Sequence, residues 1–93
     1  MNIKSEIVES IAKIARECGV RKVILFGSRA RGDNRERSDI DLAFEGGNSA
    51  RFALDVDDFT PTLLKFDFVD LSTANETILK EIERDGVILY EQT

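Results

Sequence analysis

Apolar and polar positions alternate along this chain with two different periods, and the switches between them outline its elements. Ile3, Ile7, Ile11, Ile14 and Cys18 recur at three- and four-residue spacing, with Lys4, Glu6, Glu9, Lys13, Arg16 and Glu17 between them. This predicts an amphipathic helix with one apolar stripe, stopped at Gly19 by a left-handed terminator. Val20 to Phe26 is a short run rich in β-branched residues that ends at glycine, the pattern of a buried strand. Gly27-Ser28 then turns into a short helix to about Arg31, closed by Gly32, and Asp33 to Arg37 is a charged loop. Asp39 to Phe44 alternates carboxylate and apolar, which is strand periodicity. A turn over Glu45 to Ser49 precedes a helix from Ala50 to Phe59, with Phe52, Val56 and Phe59 on one face and Pro61 ending it. Leu63 to Leu71 reads as a third strand. Thr73 and Glu76 have capping-box spacing ahead of a helix to about Asp85, with Ile78, Leu79 and Ile82 inward and Gly86 as its stop. Val87 to Tyr90 is a last strand or extended tail. The pattern predicts one α/β (α+β) domain over residues 1–93, a small mixed sheet backed by helices as one layer pair.

Bulk composition narrows the chemistry. The chain has 93 residues, 42% hydrophobic and 33% charged, the balance of a soluble globular domain. Its net charge of −5 argues against strong non-specific binding to nucleic acid. One cysteine excludes an internal disulfide and fits a cytoplasmic location. With no histidine, acid–base work at neutral pH falls to carboxylates. No apolar run reaches membrane-spanning length, and the N-terminus does not read as a secretion signal.

The candidate chemistry lies in Gly27-Ser28-Arg29-Ala30-Arg31-Gly32 and Ser38-Asp39-Ile40-Asp41-Leu42. On a strand Asp39 and Asp41 project from one face, with Cα atoms roughly 6.5–7 Å apart. Like charges so placed repel and do nothing for folding. Magnesium would relieve the repulsion, since its preferred ligands are carboxylate and phosphate oxygens. A third carboxylate is expected from the third strand, where alternation chooses between Asp67 and Asp70. Phe66, Phe68 and Asp70 share one face, and the two Phe residues belong against the helices with Ile40 and Leu42. Asp67, with Lys65 and Val69, then falls on the face of Asp39 and Asp41, and Asp70 becomes a polar strand end. Gly27 lets the backbone approach a phosphate, Ser28 adds a hydroxyl, and Arg29 and Arg31 could neutralise a triphosphate. The same two arginines could instead salt-bridge with Asp33 or Glu36. The chain lacks the Gly-x-x-x-x-Gly-Lys-Ser/Thr and Gly-x-Gly-x-x-Gly phosphate motifs.

At these residues, and at Phe66 to Leu71 and Glu83 to Glu91, the chain resembles the minimal nucleotidyltransferases (MNT) of the DNA polymerase beta superfamily. The resemblance implies a nucleotidyltransferase fold, two magnesium ions, and transfer of a nucleoside monophosphate to a hydroxyl with release of pyrophosphate. Gly27, Ser28, Asp39, Asp41 and Asp67 fall on the family's functional positions. The implied metal ligands are Asp39, Asp41 and Asp67, holding ions about 3.5–4 Å apart, with ATP as substrate. Many relatives are antitoxins beside a helical HEPN-type toxin, some adenylylating a toxin tyrosine, so such a toxin is the implied partner. Larger members place a helical domain over the base. This chain ends at Thr93, which leads to an expectation of weak nucleotide binding by the domain alone. Occlusion of a toxin without catalysis, or a calcium-binding or structural domain, are the alternatives. Base preference, acceptor and homo-oligomerisation stay open.

Overall fold

The computed structural model describes residues 1–93 and contains helix α1 (Ser5–Glu17), strand β1 (Lys22–Phe26), short helix α2 (Gly27–Arg31), strand β2 (Ile40–Glu45), helix α3 (Ser49–Phe59), strand β3 (Phe66–Asp70), helix α4 (Glu76–Asp85) and strand β4 (Val87–Glu91). The strands form one sheet in the order β3-β2-β1-β4. β1 pairs antiparallel with both β2 and β4, whereas β2 and β3 are parallel. The parallel pair needs a crossover, and α3 supplies it.

One sheet face is sealed. Ile7, Ile11, Ile14 and Ala15 of α1 and Phe52 and Val56 of α3 pack onto Val23, Leu25, Ile40, Leu42 and Phe44. Phe52 meets Phe44 with ring centroids 5.3 Å apart and Phe68 at 6.1 Å in an edge-on contact. Alternation along β2 thus sends Ile40, Leu42 and Phe44 into this layer and the residues between them to the other face.

The second face is partly covered. Ile78 and Ile82 of α4 pack over Ile24, Phe26, Ala43, Val69 and Leu71. Helices therefore lie on both sides of the sheet, and the expected single layer pair is corrected on this point. Gly86 permits the close contact: a Cβ there would collide with the Ile82 carbonyl oxygen and come within 2.7 Å of Ile24 Cγ2.

Several local expectations change. The α4 cap is Asn75, whose side chain accepts from the Ile78 amide at 2.9 Å, rather than a Thr73–Glu76 box. Thr73 instead donates its hydroxyl to the Asp70 carbonyl at 3.3 Å, closing the turn after β3. Leu79 is exposed, because Ile78 and Ile82, four residues apart, already fill the contact with the sheet. Phe59 is exposed too: Thr60 takes the buried place, accepting from the Ser10 hydroxyl at 3.3 Å. The third strand begins at Phe66, so Leu63 to Lys65 precede it.

Candidate active site

The second sheet face carries the acidic residues. β2 and β3 run in register, with Asp41 opposite Asp67, and on the other flank Phe26 at the end of β1 stands opposite Asp41. Asp39 lies two residues earlier, exposed, just before β2 begins. The acidic face thus follows from strand alternation plus this one register.

Asp41 is the electrostatic centre. Its carboxyl is pushed from 3.8 up to about 6, first by burial, then by the charges of Asp67 and Asp39, by a hydrogen bond with Asp67, and by the charge of Glu81. The neighbouring carboxylate charges disfavour ionisation of Asp41 and add to the effect of its burial. Asp39 stays in water. Consistent with that, no three acidic or cysteine side chains close into a ready-made metal cage. Of the three carboxylates expected to converge, Asp41 and Asp67 stand in register on adjacent strands and Asp39 lies exposed two residues before Asp41. Carboxylates set side by side on one face suit a hard divalent cation, whose charge would offset their repulsion. Asp39, Asp41 and Asp67 are the residues that would hold it.

Gly27 faces this pair. It adopts φ +74°, a conformation glycine takes readily. An added Cβ would collide with Asp41 Oδ2 and lie 3.2 Å from Asp41 Cγ. The glycine thus serves both the turn from β1 into α2 and the close approach of the Asp41 carboxylate. Ser28 follows, half-buried, and its carbonyl accepts from the Gly32 and Asp33 amides at 2.8 and 3.1 Å, closing the turn.

The arginines behave differently from each other. Arg29, expected at a nucleotide or else in a solvated ion pair with Asp33 or Glu36, makes neither of those ion pairs. It is buried, and its guanidinium donates to the carbonyls of Ser38 at 2.9 Å, Asn2 at 3.2 Å and Glu36 at 3.0 Å. It clamps the loop that delivers Asp39, from the side of Ile40 rather than of Asp41. Arg31 pairs with Asp33 at 3.0 Å, as its alternative reading allowed, and also with Asp85 of α4 at 3.0 Å. Arg84 binds the same Asp85 at 2.8 Å. These two arginines hold the Asp85 carboxyl below its usual range, and Arg31 thereby ties α2 to α4.

Asp70 is the polar strand end that alternation implied. Its Oδ1 accepts from the Ser72 amide at 2.9 Å and hydroxyl at 2.7 Å, which holds its carboxyl below the usual carboxylate range. Glu81 was missed. Its charge reaches Asp41 because it precedes Ile82, the residue that docks α4 on this face. A helical wheel marks Glu81 as a neighbour of the docking stripe, but nothing in the wheel says which sheet face the stripe covers. The largest cavity, about 790 Å³ between α1 and α3, is remote from the carboxylates.

Comparison with known proteins agrees with this geometry. Residues 9–93 match the family model described as Polymerase beta, Nucleotidyltransferase. MJ0604 of Methanocaldococcus jannaschii, a candidate protein adenylyltransferase, is 44% identical over 50 residues, covering 54% of this chain and 48% of that protein. The chain thus matches about half the length of this curated relative. A solved structure described as a minimal nucleotidyltransferase superposes with a TM-score of 0.69 at 26% identity, covering 86% of each chain. A tri-AMPylated Shewanella oneidensis HEPN toxin in complex with an MNT antitoxin shares the fold, with a TM-score of 0.68 at 20% identity over 92% of this chain and 71% of that one. The acidic pair beside Gly27-Ser28 and the match over residues 9–93 together make this chain a member of the polymerase beta nucleotidyltransferase family, of the minimal nucleotidyltransferase (MNT) type.

Proposed function

We propose that this protein transfers AMP from ATP to a hydroxyl on a partner protein, as the antitoxin of a helical HEPN-type toxin. The observation that carries the reading is the in-register Asp41–Asp67 pair beside Gly27, with Asp39 two residues away. A purely structural domain gains nothing from like charges on one face. The adenylyl group and the toxin partner are carried over from MJ0604 and from the HEPN–MNT complex.

Each residue has a role in that reaction. Asp39 and Asp41 would hold magnesium with Asp67; when bound, the metal neutralises the triphosphate and makes the α-phosphate a better electrophile. Gly27 gives the phosphates close access to the backbone, and the Ser28 hydroxyl donates to the departing pyrophosphate. Asp67, farther from Gly27 than Asp41 is, stands on the acceptor side. The acceptor oxygen attacks the α-phosphorus, its proton passes to Asp67, and the bond to the pyrophosphate oxygen breaks. Positioning and fixed charge carry most of the acceleration.

Incubation with a candidate HEPN-type partner, magnesium and α-labelled ATP tests this. Label in the partner with wild type, and none with Asp41→Asn, is the expected result. Neutralisation of the partner with no label would replace catalysis by occlusion. That second reading draws on the exposed apolar side chains of Leu54, Phe59 and Leu63.

A further inference from the structure

β3 is an edge strand, and the side of it away from β2 is open. Ile40 N–H donates to the Lys65 carbonyl at 2.9 Å and Leu71 N–H to the Phe44 carbonyl at 2.9 Å. In a parallel ladder these two bonds fix the alternation: Lys65, Asp67, Val69 and Leu71 pair with β2, and the N–H and C=O groups of Phe66 and Phe68 point outward. No turn, loop or cap takes up those groups. An edge of this kind is a template for a further strand.

The surface next to that edge carries two cations beside apolar side chains, with Asp39 at its border, in a molecule of net charge −5. A cavity of about 540 Å³ is lined by Arg37, Asp39, Leu63, Leu64 and Lys65. None of the ion pairs of the chain uses Arg37 or Lys65. Leu63 is fully exposed. Lys65 stands two residues before Asp67 and therefore shares its face, roughly 6.5–7 Å along the strand.

We propose that the acceptor hydroxyl is delivered by an extended segment of the partner polypeptide that adds to the open edge of β3, with an acidic residue two positions from the acceptor seated between Arg37 and Lys65. This rests on the transferase reading above and specifies its substrate. Main-chain bonds to Phe66 and Phe68 supply the register. A hydroxyl-bearing side chain opposite Asp67 then projects onto the carboxylate face, with Cβ atoms about 4.5–5.5 Å apart. The next residue on that face reaches Lys65, so charge complementarity selects a carboxylate there. Leu63 and Leu64 cover the apolar side chains between. Strand addition of this type draws affinity from the main chain and specificity from alternate side chains.

The test uses the isotope-labelled full chain without nucleotide, titrated with the synthetic peptides Ac-Val-Glu-Val-Tyr-Val-Glu-Val-amide and the same peptide with lysine for glutamate. The acidic peptide should shift the Phe66 and Phe68 amide resonances and slow their exchange with solvent at least threefold. The double variant Arg37→Glu, Lys65→Glu should keep the wild-type spectrum elsewhere, bind the acidic peptide at least ten-fold more weakly, and prefer the lysine peptide. Unmoved Phe66 and Phe68 amides, binding confined to β4 or to the α1/α3 cavity, unchanged affinity in the double variant, or displacement by equimolar oligothymidylate would each overturn the proposal. The stabilising effect of ATP and magnesium, measured separately by thermal melting, reports on the transferase reading. The two failures are therefore distinguishable.

Discussion

The two faces of the sheet differ more than any other two regions of this molecule. Leu42 and Asp41 are neighbours on β2, yet Leu42 is completely buried under α1 and α3 while Asp41 sits among carboxylates. The Leu42 face removes apolar surface from water and stabilises the fold. The Asp41 face opposes folding, since a partly buried acid is held beside two others. The covered face therefore supports the stability that the acidic face lowers. Strain of this kind, tolerated at neutral pH, is the property of a candidate functional site.

Substitutions can separate the faces, and the largest effect is expected on transfer. Asp41→Asn should lower magnesium-dependent labelling by roughly 10³-fold or more, read by single-turnover transfer, while raising thermal stability. That combination, activity lost and stability gained, would be reversed if Asp41 were structural. Leu42→Ala should do the opposite to stability, losing about 2–5 kcal/mol through the cavity it leaves in the core beneath α1 and α3, as measured by urea unfolding.

Gly27→Ala tests where the faces meet. Its left-handed φ and the collision with Asp41 Oδ2 should destabilise by about 1–2 kcal/mol and move Asp41, so both melting temperature and transfer should fall.

The pH dependence follows from Asp41. Because the folded protein holds this proton up to about pH 6 and the ordinary value is 3.8, the native state binds more protons than the unfolded chain between those values. Its contribution to stability is complete below pH 4, declines as pH rises, and is lost above about 6. Melting of the metal-free protein should therefore rise on going from pH 7.5 to 5, by several degrees. This corresponds to about 1 kcal/mol in a domain of this size. Magnesium at pH 7.5 should raise it as well, and Asp41→Asn should remove both responses. A pH-independent melting curve would show that the acidic pair is not strained.

The smallest effect is expected at Arg31. Arg31→Ala breaks the pairs with Asp33 and Asp85 and should lower the melting temperature less than any substitution above. A loss of transfer far beyond that change in stability would show that Arg31 leaves its carboxylates to meet phosphate.

How much of this was legible beforehand depended on whether a pattern is local. The apolar spacing from Ile3 to Cys18 and the alternation from Asp39 to Phe44 name a helix and a strand because the backbone repeats every 3.6 or two residues. The same alternation put Asp67 with Asp41 and sent Asp70 away, as the register shows. Local spacing misled where two residues competed for one task. Asn75 took the cap expected of Thr73, and Thr60 took the burial expected of Phe59.

The sequence by itself determined which residues could share a face, since alternation and helical period belong to the covalent chain. Only the tertiary structure decided which faces meet. It engaged Arg29 with the carbonyls of Ser38, Asn2 and Glu36, laid α4 across the acidic side so that Glu81 lies near Asp41, and left one edge of β3 without a partner. Those outcomes depend on contacts between segments far apart in the chain, and no repeat within a segment encodes them.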